Sequence, residues 1–168
     1  MSGNLRQLAA RVRLAVFDVD GVFTDGRFWL SDEGIETKAF STQDGFGIKK
    51  ILAAGIAVAV ISSRNSRAVD IRMAELGVQH VFQGAADKIV AFERLLSTLQ
   101  LSADECVYTG DDVPDLPLLQ RVGFAVAVAN AVEQVKAVCH HITARPGGSG
   151  AVREVCELLL AAKEAGRE

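Results

Sequence analysis

Asp18 and Asp20 stand two residues apart at the end of an apolar run, in the segment DVDGVFTDG. Further along, Ser62, Ser63 and Arg64 follow a second apolar run, Lys88 opens a helix-like stretch, and Gly110-Asp111-Asp112 with Asp115 follows a third run. Taken singly, each is ordinary: an aspartate at a strand end usually caps a helix or forms a turn. Their combination is less ordinary, because carboxylates gathered in one crevice repel one another unless a cation sits among them. Donors that are all oxygen select a hard ion, and a site completed by phosphate favours magnesium. A carboxylate is a feeble nucleophile toward a phosphate dianion, and an ammonium together with a metal ion supplies the screening that such an attack needs. An acid two residues beyond Asp18 faces the same way in an extended strand. It suits hydrolysis of a phosphate ester, whose alcohol needs a proton to leave.

These residues need a scaffold that brings four chain segments to one place. The runs RLAVFDV (13–19), IAVAVIS (56–62), HVFQ (80–83), CVYTG (106–110) and FAVAV (124–128) are continuous rather than alternating, with HIT (141–143) as a last edge. Helical spacing fills the intervals at 44–54, 66–76, 86–99, 114–121 and 131–138, with a lead-in helix at 4–11 and a final one at 151–164. Gly55 and Gly77 are placed to close two of them. Continuous apolar strands separated by helices predict a parallel sheet covered on both faces. Ligands in such sheets bind beyond the carboxyl ends of the strands, where the acids, the hydroxyl and the lysine fall. The segment GRFWLSDEGIETKAF reads as a β-hairpin projecting from the body, within about residues 26–41. The expected fold is thus α/β, a Rossmann-like three-layer α/β/α arrangement with a parallel central sheet, built as one domain over residues 1–168. RPGGSG (145–150) is expected to be a flexible loop that begins a mobile C-terminal tail over about residues 145–168.

Composition narrows the partners. In 168 residues, 49% are hydrophobic and 23% charged, which excludes a disordered chain, and a net charge of −3 argues against nucleic acid as a partner. Cys106, Cys139 and Cys156 fit no zinc or disulfide spacing, which suits a reducing cytoplasm. The apolar stretch Leu14–Phe17 runs straight into Asp18 and Asp20 with no cleavage site after it, and no apolar run is long enough to span a bilayer. The three histidines, Tyr108 and Trp29 read as packing residues.

In order and strand context, DVDG at 18–21, Ser62, Lys88 and GDDVPD at 110–115 resemble the four motifs of the haloacid dehalogenase superfamily. The resemblance implies that Asp18 is a nucleophile forming an aspartyl-phosphate, and that Asp20 acts as acid for the leaving alcohol and then as base for water. It gives Ser62 a hydrogen bond to the phosphoryl oxygens and Lys88 the neutralisation of charge between nucleophile and phosphate. Magnesium would be held by Asp18, Asp111 and the main-chain carbonyl of Asp20, with Asp112 and Asp115 supporting from behind. The intervals between Asp18, Ser62 and Lys88 leave no room for a cap domain. The site is then open to a macromolecule or roofed by a neighbouring subunit, with Phe28, Trp29 and Ile35 of the hairpin as contact candidates.

Within the superfamily, the chain resembles the capless, tetrameric 3-deoxy-D-manno-octulosonate 8-phosphate phosphatases, whose reaction supplies a lipopolysaccharide precursor. The resemblance runs through STQDGFGIKK (41–50), SSRNS (62–66), GAADK (84–88), GDDVPDLP (110–117) and RPGGSGAVREVCELLL (145–160). It implies substrate contacts at Asp20, Ser41, Thr42, Gln43, Asp44, Gly45, Arg64, Arg72 and Lys88, a small sugar-acid phosphate as substrate, and a tail reaching an adjacent site with Arg145 as a contact. A guanidinium grips a carboxylate bidentately, so two arginines suit an acidic sugar, although surface pairing with Glu75 or Asp70 is an equal alternative for them. Thr42-Gln43 stands where a more basic or bulkier pair is expected, so a nine-carbon sugar-acid phosphate is an alternative substrate. A non-catalytic oligomerisation module, like that fused to acylneuraminate cytidylyltransferases, is the alternative of another class. A signalling receiver domain has the wrong order of acids.

Overall fold

The computed structural model describes residues 3–165. Six strands form one parallel sheet: β1 (Leu14–Phe17), β4 (Ala57–Ile61), β5 (His80–Phe82), β6 (Cys106–Gly110), β7 (Phe124–Ala127) and β8 (His141–Ile142), in the spatial order β5-β4-β1-β6-β7-β8. The chain moves outward from β1 in one direction, returns, and moves outward in the other. Right-handed crossovers then put the connecting helices on opposite faces. On one side, α1 (Gly3–Ala10), α2 (Thr42–Ala53), α3 (Arg67–Leu76) and α7 (Ala151–Ala165) pack together; α4 (Lys88–Leu99), α5 (Leu116–Leu119) and α6 (Glu133–Lys136) belong to the return half. This is the expected three-layer arrangement, and its strands β1, β6 and β7 are buried along their whole length. Among the described residues no helix is long and apolar enough to cross a membrane.

Local chemistry sets the element ends. The Ser41 hydroxyl caps α2 by accepting from the Asp44 N–H, and the Asp87 carboxylate caps α4 by accepting from the Ile89 N–H. Gly77, at φ +81°, closes α3 as expected. The start of α7 is capped from another element, because the Asp44 carboxylate accepts the Arg153 N–H at 2.8 Å.

The expected helix at 114–121 is instead a single tight turn, Val113–Asp115, followed by the four residues of α5. Pro114 and Pro117 remove two amide donors, which breaks a longer helix. The first strand is also shorter than its apolar run. It stops at Phe17, and Val22, Phe23 and Thr24 all turn back to donate to the Val19 carbonyl. Asp18 and Asp20 therefore share a cavity because the chain turns, rather than because they alternate along a strand.

The hairpin is present, with β2 (Trp29–Leu30) paired antiparallel to β3 (Glu36–Thr37) around a turn closed by Gly34 N–H to the Ser31 carbonyl. Its strands are only two residues long and bury no side chain of their own. No other element is inserted between β1 and α2 among the described residues.

Candidate active site

β1 and β6 are the neighbours at which the strand order reverses, the place where open α/β sheets form their binding crevice. Asp18 follows β1, and its N–H donates to the Thr109 carbonyl at 3.0 Å, which sets it level with the end of β6. Asp111 follows β6 directly. Lys88, the first residue of α4, sends its ammonium under both strands to Asp18 Oδ1 at 2.9 Å and Asp115 Oδ1 at 2.7 Å. Tyr108 completes this arrangement from within β6: its hydroxyl accepts from Lys88 Nζ at 3.2 Å and donates to Asp115 Oδ1 at 2.6 Å. The other Asp115 oxygen accepts the N–H groups of Asp111 at 2.9 Å and Asp112 at 3.3 Å.

Ser62 directly follows β4, buried, with its hydroxyl accepting from the Arg64 N–H at 3.3 Å. It lines, with Asp18, Asp20, Arg64, Lys88 and Asp111, a cavity of about 280 Å³. Asp112 also lines it while capping the turn that follows, by accepting from the Val113 N–H at 2.8 Å. A larger depression of about 480 Å³ lies at the opposite, amino-terminal end of β6, between α4 and Ser102–Asp104. It gathers no comparable cluster, and convergent chemistry rather than size distinguishes the site.

The electrostatics of the cluster ask for a cation. Burial, with Asp115 adding to it, pushes the Asp18 carboxyl up to about 7 against the pull of Lys88. Burial and the charges of Asp18, Asp115 and Asp112 push Asp111 up to about 8, again against Lys88. Burial alone would lower Lys88, but the two carboxylates hold its ammonium above the ordinary lysine value. The Tyr108 hydroxyl is raised well above its usual value by burial and by Asp115 and Asp18, so it stays a donor. One ammonium among these carboxylates leaves excess negative charge.

Oxygens of Asp18, Asp111 and Asp115 lie within 4.8 Å of one another. Asp115 is already saturated by Lys88, Tyr108 and two N–H groups, so Asp18 and Asp111 are the pair left to face an ion. Asp111 Oδ1 is buried without a hydrogen-bond partner, a lone pair aimed at nothing else in the protein. An all-oxygen, two-carboxylate donor set fits a hard divalent cation. Gly21, at φ +90°, makes the geometry possible, since a β-carbon there would run into the Asp111 carboxylate.

Residues 80–154 match the haloacid dehalogenase-like hydrolase family. The chain is 43% identical to the 3-deoxy-D-manno-octulosonate 8-phosphate phosphatase of Yersinia pestis over 94% of its own length and 84% of that protein's. The chain belongs to the 3-deoxy-D-manno-octulosonate 8-phosphate phosphatase family. The crystal structure of the Yersinia pestis protein superposes with a TM-score of 0.96 at 41% identity, covering 98% of this chain and 89% of that one. The structure of the Moraxella catarrhalis enzyme in complex with magnesium, phosphate and KDO superposes with a TM-score of 0.94 at 42% identity, over 99% of this chain and 98% of that one.

Against the pattern of this phosphatase family, the predicted residues separate into two groups. Asp18, Asp20, Ser62, Arg64, Lys88, Asp111, Asp112 and Asp115 come together around one cavity. Ser41, Thr42, Gln43, Asp44, Gly45 and Arg72 do not line it. Ser41 and Asp44 serve as caps, and Asp44 is fully buried. Arg72 pairs with Glu75 at 2.8 Å, and its guanidinium lies directly over Gly45, where an added β-carbon would meet it. Gln43 lies with Arg145 and Arg153 in a separate cleft. The Arg145–Gly150 loop is tied to its own chain: Gly148 N–H donates to the Val22 carbonyl at 3.0 Å, and Gly147 packs on the Gly21 carbonyl.

Two residues at the site escape the sequence reading. Tyr108 passes for packing, although a tyrosine in a wholly apolar buried strand must find a partner for its hydroxyl, a signal that was available. Lys38 carries no such signal. Its side chain is fully buried and its ammonium meets the Asp20 carboxylate, eighteen residues back along the chain.

Proposed function

We propose that the protein is a magnesium-dependent phosphatase that hydrolyses 3-deoxy-D-manno-octulosonate 8-phosphate to the sugar acid and inorganic phosphate. The observation that carries this reading is the convergence of Asp18, Lys88 and Asp111 at the sheet's switch point, with Asp20 and Ser62 on the same cavity wall. The family relationship, and the magnesium, phosphate and KDO of the Moraxella catarrhalis complex, support the substrate and the metal.

Asp18 Oδ attacks phosphorus and the P–O bond to the sugar breaks. Asp20 gives its proton to the departing alkoxide, leaving an aspartyl-phosphate on Asp18. Asp20, now a carboxylate, takes a proton from water as that water attacks the same phosphorus, which frees phosphate and restores Asp18. Lys88 lies 2.9 Å from Asp18 and would neutralise charge where nucleophile and phosphate meet; the Ser62 hydroxyl, on the cavity wall, would donate to a phosphoryl oxygen. Asp18 and Asp111, with the Asp20 carbonyl, would hold magnesium, whose charge offsets the repulsion between carboxylate and phosphate dianion. Asp115, through its bonds to Lys88, Tyr108 and two backbone N–H groups, supports the cluster from behind.

We further infer a cytoplasmic homo-oligomer, a tetramer on the family pattern, in which each chain is one hydrolase domain with its hairpin. Trp29, Leu30 and Ile35 are 76%, 64% and 64% exposed, an apolar face that a second copy would cover. Ser41, Thr42, Gln43 and Arg72, which lie off the cavity of their own chain, would act toward the site of a neighbour, whereas the buried Asp44 and Gly45 are taken up within their own chain. The anchored 145–150 loop leaves the Arg145 side chain as its available part.

The deciding experiment is a panel of eight- and nine-carbon sugar-acid phosphates and simple alkyl phosphates, assayed for phosphate release with and without magnesium. The expected outcome is metal-dependent turnover with the highest kcat/KM on the eight-carbon substrate. A maximum on a nine-carbon substrate would replace the substrate, and no turnover on any ester would leave only the oligomerisation module.

A further inference from the structure

Lys38 follows β3 at the base of the hairpin, and its side chain is fully buried. A buried ammonium is costly unless it is paired, so what it meets is informative. It meets the Asp20 Oδ1 oxygen, the Glu36 Oε1 oxygen at 3.4 Å, and the face of Phe28, whose ring centroid is 5.6 Å away. Arg64 closes the group from the other side. Its guanidinium stacks 4.4 Å from the Phe28 centroid, bonds Glu36 Oε2 at 2.7 Å, and approaches the second Asp20 oxygen at 3.8 Å. Each Asp20 oxygen thus faces a different cation. Three members of the group, Phe28, Glu36 and Lys38, belong to the hairpin; Asp20 and Arg64 belong to the loops after β1 and β4.

Asp20 sits on a turn directly before Gly21, and a side chain on such a turn has little of its own scaffold to aim it. Burial gives no reason for a charge at position 38, since an apolar chain of the same length would fill that space. We propose that Lys38 is a positioning residue for the reaction, whose buried ammonium clamps Asp20 over the cavity and makes docking of the hairpin a condition for protonating the leaving alcohol. This rests on the reading of Asp20 as the general acid. Lys38 does not line the cavity and touches no substrate; it acts through Asp20.

Leaving-group dependence tests it. Lys38→Met keeps the stem and removes the charge. With magnesium, kcat/KM on the sugar-acid phosphate or another alkyl ester is expected to fall about 10- to 100-fold, the size of a misplaced general acid. KM is expected to stay within about twofold. On p-nitrophenyl phosphate, whose leaving group needs no proton, the loss of kcat/KM, which covers only the steps up to departure of the alcohol and not the later attack of water, is expected to stay below about threefold, which also shows that the fold and the nucleophile are intact. Lys38→Arg is expected to restore part of the alkyl-ester rate. In an Asp20→Asn background, Lys38→Met is expected to cost nothing further, because its effect passes through the missing group. Equal losses of kcat/KM on alkyl and aryl esters, a change in KM alone, or losses that add in the double variant would overturn the role of Lys38. The Asp20→Asn single variant separates the two ideas. If it falls equally on both esters, the acid assignment itself fails and takes this proposal with it. If it is leaving-group dependent while Lys38→Met is not, only Lys38 is misassigned.

Discussion

At the ends of β1 and β6, both oxygens of Asp115 are engaged, Lys88 is shared between two carboxylates, and Tyr108 links them from below. The hairpin a few residues away has strands of two residues, no strand side chain buried, and Trp29, Leu30 and Ile35 facing solvent in the isolated chain. The first region is held by its own chain through short, charge-assisted bonds between rigid elements. The second is tied to the body mainly through the charges at its base, Lys38 and Glu36 against Asp20 and Arg64. The lesson is that a parallel sheet supplies a rigid platform for chemistry without help, while a short projecting hairpin needs a partner for stability and order.

That contrast can be broken at several points. Asp18→Asn removes the proposed nucleophile and is expected to lower phosphate release from any ester by at least about 10⁴-fold, with a cooperative thermal transition retained. Inorganic phosphate assay and calorimetry on the same preparation check both halves. Asp115→Ala strikes the support instead. It leaves the buried Lys88, the Tyr108 hydroxyl and two N–H groups short of a partner, and is expected to cost about 3–5 kcal/mol in urea unfolding, the range for breaking a buried charge pair. Asp44→Ala, which uncaps α7 from a distance, is expected to cost about 1 kcal/mol by the same measurement. Combined replacement of Trp29, Leu30 and Ile35 by serine is expected to change the stability of the folded chain by under about 0.5 kcal/mol per site. Its effect is expected in sedimentation, as smaller species, and in a selective loss of turnover on sugar-acid phosphate with p-nitrophenyl phosphate hydrolysis retained.

Much of the fold was legible because its signals are local. The runs at 56–62 and 106–110 are continuous apolar stretches that only a doubly covered sheet accommodates, and both appear as strands within a residue or so of their expected ends. The acids, Ser62 and Lys88 announced themselves by falling where such strands end. Less legible was anything set by a turn. The expected alternation of Asp18 and Asp20 fails because the carbonyl of Val19 collects three N–H groups and winds the chain, and the expected helix at 114–121 fails at its two prolines. Asp44 looks like one more polar residue near a helix start, and its cap on α7 spans 109 positions.

By itself, the amino-acid order determined the parallel α/β sheet, the convergence of carboxylates and lysine at one end of it, and hence the class of chemistry, because strand patterns and strand-end motifs act over a few neighbouring residues. Tertiary structure alone decided that Asp115 faces inward while Asp111 keeps a lone pair free, that Tyr108 is part of the charge network, and that Lys38 lies against Asp20. Those outcomes depend on which segments, distant in the chain, come within about 3 Å of each other, the range over which a hydrogen bond has any strength and one that no periodicity encodes.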